Sequence, residues 1–143
     1  MRTGLLIVDL QDGFGPSPNL VSEICVETKK HAAVAMTRFT NLPESLYRTA
    51  LGWCGDGGAL SVQVDGAVIL EKTGYGLTSE HIDALRSAGC DEWHVCGLET
   101  DACVLACAFS LWDAGIRPRV IPELCESPLH REGVAVALRQ FGA

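Results

Sequence analysis

Residues 92–104 read Glu-Trp-His-Val-Cys-Gly-Leu-Glu-Thr-Asp-Ala-Cys-Val, a pattern that predicts a strand turning into a helix. The first part is apolar and β-prone and ends at Gly97. Thr100 and Asp101 favour a helix start, because their side-chain oxygens accept hydrogen bonds from the first free N–H groups. Cys103 would then lie in the first helical turn, where the helix dipole and free amides stabilise a thiolate. We therefore treat Cys103 as a candidate nucleophile.

The same alternation of apolar strands and helices extends over the whole chain. Strands are predicted at residues 4–8, 31–39, 67–70, 92–96 and 117–122. Helices are predicted at residues 20–30, 79–88, 104–112 and 128–141, with a short one opening after Pro43 and a loop at 123–127. Ser79 is the expected cap of the second long helix. Alternating strands and helices predict one mainly parallel sheet of five to six strands, covered on both faces.

Size and charge narrow the class of protein. The chain has 143 residues and 48% hydrophobic residues, and no repeat or linker divides it, so we expect a single domain over residues 1–143. The apolar excess also favours a homodimer or larger homo-oligomer. There are 11 basic against 18 acidic residues, a net charge of −7. That balance disfavours partners with phosphate backbones and anionic membranes, so neither nucleic acid nor membrane is an expected partner.

The cysteines and the N-terminus indicate a cytoplasmic location. Seven cysteines form an odd set without paired Cys-x-x-Cys spacing, so neither a disulfide framework nor a zinc ribbon is predicted. A reducing compartment is the simplest setting for such thiols. The apolar run at the N-terminus is interrupted by Asp9, Gln11 and Asp12, too early for a signal peptide or a membrane span.

Three chemically active side chains follow three different predicted strands. Asp9, Lys72 and Cys103 each come at the end of an apolar run, and open α/β sheets bind ligands at the carboxyl ends of their strands. Asp9 could take the thiol proton as general base, and Lys72 could stabilise the thiolate or orient the acid. Backbone N–H groups around Cys103 could stabilise an oxyanion.

Three segments also resemble a known family. They are Leu-Leu-Ile-Val-Asp-Leu-Gln-Asp-Gly-Phe at 5–14, Glu-Lys-Thr-Gly-Tyr-Gly at 71–76, and Gly-Leu-Glu-Thr-Asp-Ala-Cys-Val-Leu-Ala-Cys-Ala at 97–108. Together they resemble the isochorismatase-like cysteine hydrolases, the family that includes the nicotinamidases. The Thr-Asp-x-Cys-Val element is the specific part, because an aspartate after an apolar strand is common.

The resemblance implies a fold, a reaction and a site. The fold is a Rossmann-like three-layer α/β/α sandwich, and the triad maps onto Asp9, Lys72 and Cys103. The reaction is cleavage of a C–N bond in a small amide or ureido metabolite through a thioester-like acyl-enzyme, an amidohydrolase activity without a cofactor. A non-proline cis peptide would fall at Leu98–Glu99. The residues expected to bind the substrate or its oxyanion are Leu98, Glu99, Thr100, Ala102, Phe14 and Tyr75.

One departure concerns metal binding. Nicotinamidases carry an Asp-x-His-x-x-His cluster after the second strand, whereas this chain has Thr-Arg-Phe-Thr-Asn at 37–41. The four histidines, His31, His81, His94 and His130, are scattered along the chain. We therefore predict no catalytic metal, and nicotinamide is a doubtful substrate.

Other interpretations of these residues are open. Cys103 could be a small buried apolar residue, could pair with Cys107 one helical turn further on as a redox couple, or could form a dyad with His94. Arg38, at the end of the second strand, is more simply a solvated salt-bridge partner than a cleft residue. A non-catalytic metabolite-binding protein or a redox-active thiol protein of the same fold is the alternative to an enzyme.

Overall fold

A computed structural model describes residues 1–128 of the chain, which form a five-stranded sheet with helices on both faces. The strands are β1 (Thr3–Val8), β2 (Ala33–Phe39), β3 (Val68–Lys72), β4 (Glu92–Leu98) and β5 (Arg117–Glu126). The helices are α1 (Pro18–Thr28), α2 (Leu46–Thr49), α3 (Ser79–Ser87) and α4 (Leu105–Asp113). A 3₁₀ turn (Asp12–Phe14) follows β1, and a π-helical turn (Thr100–Val104) precedes α4.

The strand order fixes where a ligand crevice opens. All neighbouring strands are parallel, in the order β3-β2-β1-β4-β5. The chain therefore winds outward from β1 to β3, returns to the other side of β1, and continues to β5. In open α/β sheets the crevice lies outside the carboxyl ends of the strands at such a reversal. Here that position lies at the carboxyl ends of β1 and β4, the two neighbouring strands between which the chain reverses direction. The predicted α/β/α sandwich is confirmed.

The sequence of β1 explains why the sheet is covered on both faces. Successive side chains of a strand point to opposite faces. Leu5 and Ile7 belong to the apolar cluster under α1, whereas Leu6 and Val8 belong to the cluster under α3 and α4. All four are at most 1% exposed. An uninterrupted apolar run is thus what a central strand with two packed faces requires.

The helix starts follow ordinary capping chemistry, with one correction. Ser17 accepts a hydrogen bond from the Leu20 N–H and caps α1. The cap of α3 is Thr78, not the predicted Ser79. Thr78 Oγ1 accepts from the His81 N–H at 3.3 Å, and His81 Nδ1 accepts from the Thr78 N–H at 3.1 Å. This reciprocal pair satisfies two N–H groups at once, which a cap one residue later would not do.

The predicted loop at 123–127 is also wrong, because β5 continues to Glu126. The register between β4 and β5 shifts after Val95 and resumes where Gly97 pairs with Cys125. Pro122 lies in the shifted segment and has no N–H to give to the ladder, which is why a proline is tolerated there. The helix predicted at 128–141 lies, beyond its first residue, outside the described residues. Within residues 1–128, no helix is both long and apolar enough to cross a membrane.

Candidate active site

Asp9 comes directly after β1 and is held in an unusual backbone conformation. Its φ angle is +48°, in the left-handed region that few residues other than glycine adopt. The side chain is buried, and Thr37 of the neighbouring strand β2 holds Asp9 with two hydrogen bonds. The Thr37 hydroxyl donates to Asp9 Oδ1 at 2.6 Å and accepts from the Asp9 N–H at 2.9 Å. The carboxylate is therefore oriented by its neighbouring strand.

Lys72, the last residue of β3, forms an ion pair with Asp9. Its Nζ lies 2.9 Å from Asp9 Oδ2, and both side chains are at most 2% exposed. Lys72 Nζ also donates to the Gly74 carbonyl at 2.6 Å and lies 5.2 Å from the centroid of the Phe39 ring. Burial alone would lower the pKa of Lys72, but its electrostatic interactions with Cys103 and Asp9 outweigh burial and raise it. Lys72 is a fixed cation in this site.

Cys103 lies in the π-helical turn that joins β4 to α4. The Val104 N–H donates to the Glu99 carbonyl at 3.1 Å, a bond across five residues that widens the turn. Upstream, Gly97 has a φ angle of +113°, and a Cβ atom there would overlap the backbone of Val8. The missing side chain lets β4 approach β1 closely, so the turn that carries Cys103 begins next to Asp9.

Thr100 and Asp101 do not cap the helix as predicted. Among the described residues no side chain caps this turn, because Glu99 occupies the capping position. Thr100 and Asp101 instead attach the turn to the end of β5. The Thr100 N–H donates to Ser127 Oγ at 3.1 Å, and Ser127 Oγ donates to Asp101 Oδ1 at 2.9 Å. Their role is to position the turn against the neighbouring strand.

The electrostatics of Cys103 differ from the expected stabilised thiolate. Burial raises the pKa of Cys103 well above that of a free thiol. The charge of Lys72 lowers this pKa, whereas the charge of Asp9 and a hydrogen bond to its carboxylate raise it. Among the described residues, Asp9 Oδ2 accepts no well-aligned hydrogen bond, although Lys72 is in contact with it. The resting sulfur is thus a neutral thiol beside an oxygen that can accept its proton.

A cavity of about 180 Å³ opens in front of Asp9 and Cys103. Four of the lining residues are aromatic or aliphatic and were not predicted for the site. They are Phe39, Tyr47, Leu51 and Trp53. The Tyr47 ring packs edge to face against the rings of Phe39 and Tyr75, with centroids 5.1 and 4.9 Å apart. The cavity is therefore a mainly apolar chamber with several aromatic walls, and the thiol and the carboxylate also line it.

Five of the six residues predicted for substrate and oxyanion binding line this cavity, namely Leu98, Glu99, Ala102, Phe14 and Tyr75. Thr100 does not, because its side chain is exposed and its N–H is bonded to Ser127. The Ala102 N–H donates to the Glu99 carbonyl at 3.1 Å, so that amide is occupied within the protein. The peptide bond between Leu98 and Glu99 is cis, as the resemblance implies.

Three other residues considered from the sequence do not line the cavity. Arg38 pairs with Glu71 on the exposed side of β2 and β3, so the salt-bridge interpretation is correct. His94 is bonded to Glu92 and does not line the cavity. Burial raises the pKa of Cys107 to about 12, and its thiol donates to the Tyr75 carbonyl.

An aspartate, a lysine and a cysteine thus lie together at the crevice of a three-layer α/β/α fold, an architecture that narrows the class of protein. Comparison with protein families specifies the class, because the isochorismatase domain model matches residues 57–142, more than half of the chain. The chain therefore belongs to the isochorismatase-like hydrolase family, and the resemblance noted in the sequence is confirmed. A comparison with curated proteins found no significant match.

Solved structures share the fold at low sequence identity. N-carbamoylsarcosine amidase from Thermoplasma acidophilum aligns with a TM-score of 0.77 and 20% identity, over 100% of this chain and 94% of that protein. Pyrazinamidase of Pyrococcus horikoshii, solved in complex with zinc, gives 0.76 and 20%, over 98% and 94%. Nicotinamidase from Bacillus subtilis gives 0.74 and 18%, over 99% and 94%. Their structures show that this chain has the same architecture.

The first prediction concerns the titration of the thiol. Since Asp9 raises the pKa of Cys103 and Lys72 lowers it, Asp9→Asn will lower the pKa and Lys72→Met will raise it further. The rate of Cys103 alkylation by iodoacetamide, followed by peptide mass spectrometry over a pH series, measures both shifts. The exposed Cys54 serves as internal control and keeps its profile. Shifts of the same sign in the two variants would contradict this account.

The second prediction concerns Thr37 as a positioning residue. Thr37→Val removes both hydrogen bonds to Asp9, which we expect to lower kcat about tenfold with little change in KM, and to cost about 1–3 kcal/mol of stability. Thr37→Ser retains the hydroxyl and will restore kcat. A valine variant whose kcat is unchanged, or a serine variant as impaired as valine, would exclude the positioning role.

Proposed function

We propose that the protein is a cysteine-dependent hydrolase that cleaves the C–N bond of a small amide or ureido compound. The observation that carries the proposal is the Asp9 carboxylate, which is ion-paired with Lys72 and lines the same cavity as Cys103. A nucleophile, a base within reach and a group that orients the base are the parts that covalent catalysis requires. The structural neighbours include an N-carbamoylsarcosine amidase, a pyrazinamidase and a nicotinamidase, whose activities agree with this reaction.

Acylation begins from the neutral thiol. Asp9 takes the proton as the Cys103 sulfur attacks the substrate carbonyl carbon, so no free thiolate has to persist in the buried site. The carbonyl oxygen becomes an oxyanion. Because the amides of Thr100 and Ala102 are bonded elsewhere, we assign its stabilisation to the backbone N–H of Cys103 itself. Asp9 then returns the proton to the nitrogen, the C–N bond breaks, and ammonia or an amine leaves.

Deacylation uses the same groups in reverse. Asp9, now without the proton, takes one from a water molecule that attacks the thioester carbonyl. The C–S bond breaks and the sulfur regains a proton, which yields the acid and the resting thiol. Lys72 stays charged throughout and counters the negative charge that moves between Asp9 and Cys103. One water is consumed, and one acid and one ammonia or amine are formed.

The pyrazinamidase that shares this fold was solved with zinc, which raises the question of a catalytic metal here. The residues at the end of β2 lack the side chains that would bind one. The last residue of β2 and the two residues after it are Phe39, Thr40 and Asn41, with neither imidazole nor carboxylate. The Asn41 side-chain amide donates to the carbonyls of Trp53 and Gly55. Its donors are used to hold the neighbouring loop, so the mechanism is derived without a metal step.

The third prediction tests the nucleophile. Small amides and ureido compounds are screened for ammonia release, and mass spectrometry detects an acyl adduct on Cys103. Cys103→Ala will reduce turnover by about 10⁴-fold or more, since a nucleophile cannot be replaced by its neighbours. Cys54→Ser, which changes an exposed cysteine, is the matched control and retains activity. Full activity of Cys103→Ala would refute the mechanism, and substrate binding without turnover would favour a metabolite-binding protein.

The fourth prediction identifies a substrate contact. The Tyr47 hydroxyl is buried beside the cavity and has no hydrogen-bond partner among the described residues, and burial raises the pKa of Tyr47. We propose that it donates to a polar atom of the substrate. Tyr47→Phe will then raise KM about 3- to 10-fold, the equivalent of one neutral hydrogen bond. An unchanged KM in steady-state assays would assign Tyr47 to packing alone.

We also propose that the chain forms a homo-oligomer. Three large apolar side chains of α4, Leu105, Phe109 and Trp112, are 45%, 59% and 69% exposed among the described residues. They are spaced four and three residues apart and so share one helix face. Burial of such a face in a subunit contact is favourable. Light scattering of the purified protein that gives the mass of one chain would contradict this proposal.

A further inference from the structure

A second cluster of polar side chains lies at the opposite edge of the sheet from Cys103. Glu27 is in the last turn of α1, His31 is in the connection that follows, and His94 is near the start of β4. Cys103 follows the other end of β4. The three residues do not line the cavity of Cys103, and the cluster has no part in the mechanism above.

The three side chains form a compact group. Glu27 Oε1 lies 2.9 Å from His31 Nε2, and the rings of His31 and His94 meet edge to face with centroids 4.9 Å apart. One ligand atom from each of the three residues lies within 4.8 Å of the other two. The ligand atoms of a tetrahedral zinc ion are roughly 3.3 Å apart, given bonds of about 2.0–2.1 Å. Small side-chain rotations would bring the group to that spacing.

Each histidine also contacts an oxygen outside this group. Thr3 Oγ1 lies 3.0 Å from His31 Nδ1, and Glu92 Oε1 lies 2.7 Å from His94 Nε2. Such oxygens fix the tautomer and the ring orientation of histidines that bind metals. The His31 side chain is 3% exposed and the Glu27 side chain 16%, so the group is shielded and still reachable from solvent.

We propose that Glu27, His31 and His94 form a binding site for a divalent transition-metal ion of the zinc class. Two imidazoles and one carboxylate suit zinc and its first-row neighbours, whereas calcium and magnesium prefer oxygen ligands. A water molecule would complete the coordination, as in other three-ligand zinc sites. This inference does not depend on the proposed hydrolase function.

The charges around the group are compatible with an ion. Two carboxylates, Glu27 and Glu92, face the histidines, and each has a basic partner. Lys30 Nζ lies 3.1 Å from Glu27 Oε2, and Arg117 Nε lies 3.8 Å from Glu92 Oε2. The Lys30 and Arg117 side chains are 63% and 71% exposed, so both can turn into solvent when a cation binds. The ion would then link the end of α1 to the start of β4.

The experiment uses the full chain with the exposed cysteines removed, Cys25→Ser and Cys54→Ser, so that their thiols do not compete for metal. After dialysis against a chelator, Co²⁺ is added and the absorption spectrum recorded. We expect one Co²⁺ per chain, ligand-field bands in the visible, and no thiolate-to-cobalt charge-transfer band. Zn²⁺ will displace Co²⁺ and raise the Tm. The absence of binding, or a thiolate band, would overturn the proposal.

Variants identify the ligands. His31→Gln and His94→Gln will weaken Co²⁺ binding by about 100-fold or more, a larger loss than is usual for residues that only orient a ligand, and will abolish the rise in Tm. Glu27→Gln, at a more exposed position, provides a ligand variant if a histidine variant does not fold. Glu23→Gln, one turn earlier on α1 and exposed, is the matched control and will bind normally. Undiminished binding by the folded ligand variants would refute the site.

Discussion

The buried ion pair between Asp9 and Lys72 is the interaction on which the site depends. Removing two charges from water costs several kcal/mol per ion, and loss of one partner from such a pair typically costs about 3–5 kcal/mol. The pair is compensated by further contacts, in which Thr37 bonds Asp9 and the Gly74 carbonyl accepts from Lys72. Because Asp9 follows β1 and Lys72 ends β3, with Thr37 on β2 between them, the pair requires all three strands in register.

The same pair determines how the thiol can react. The charge of Lys72 lowers the pKa of Cys103, but burial and the charge of Asp9 raise it by more, so the pKa is raised overall. A thiolate formed in advance would be a third charge in an enclosed apolar space, with one cation to balance two anions. Transfer of the thiol proton to Asp9 keeps the total charge constant, because one anion disappears as another forms. For the proposed hydrolysis, this charge balance favours a base within the site over a permanently ionised nucleophile.

The sequence was sufficient to predict the fold and the juxtaposition of Asp9, Lys72 and Cys103, because both depend on local patterns. Apolar runs locate the strands, and parallel strands bring the residues at their carboxyl ends together. Thr37 and Tyr47 were not predicted as site residues, because their roles depend on strand register and on how the segment after β2 folds over the site. The capping role of Thr100 and Asp101 was wrong for a similar reason, since Ser127 of a distant segment competes for both residues.

In a parallel sheet all strands start at one end and finish at the other, and this chain carries a group of polar side chains at each of these two ends. The carboxyl edge carries the strained residue Asp9 and the turn of Cys103, where an open crevice is needed. The amino edge carries His31 and His94, which are far apart in sequence but adjacent because β1 pairs with both β2 and β4. An ion at the amino edge would fix the start of β4, and β4 is hydrogen-bonded on both sides along its length. Such an ion would increase the stability of the sheet without altering the charges around the thiol.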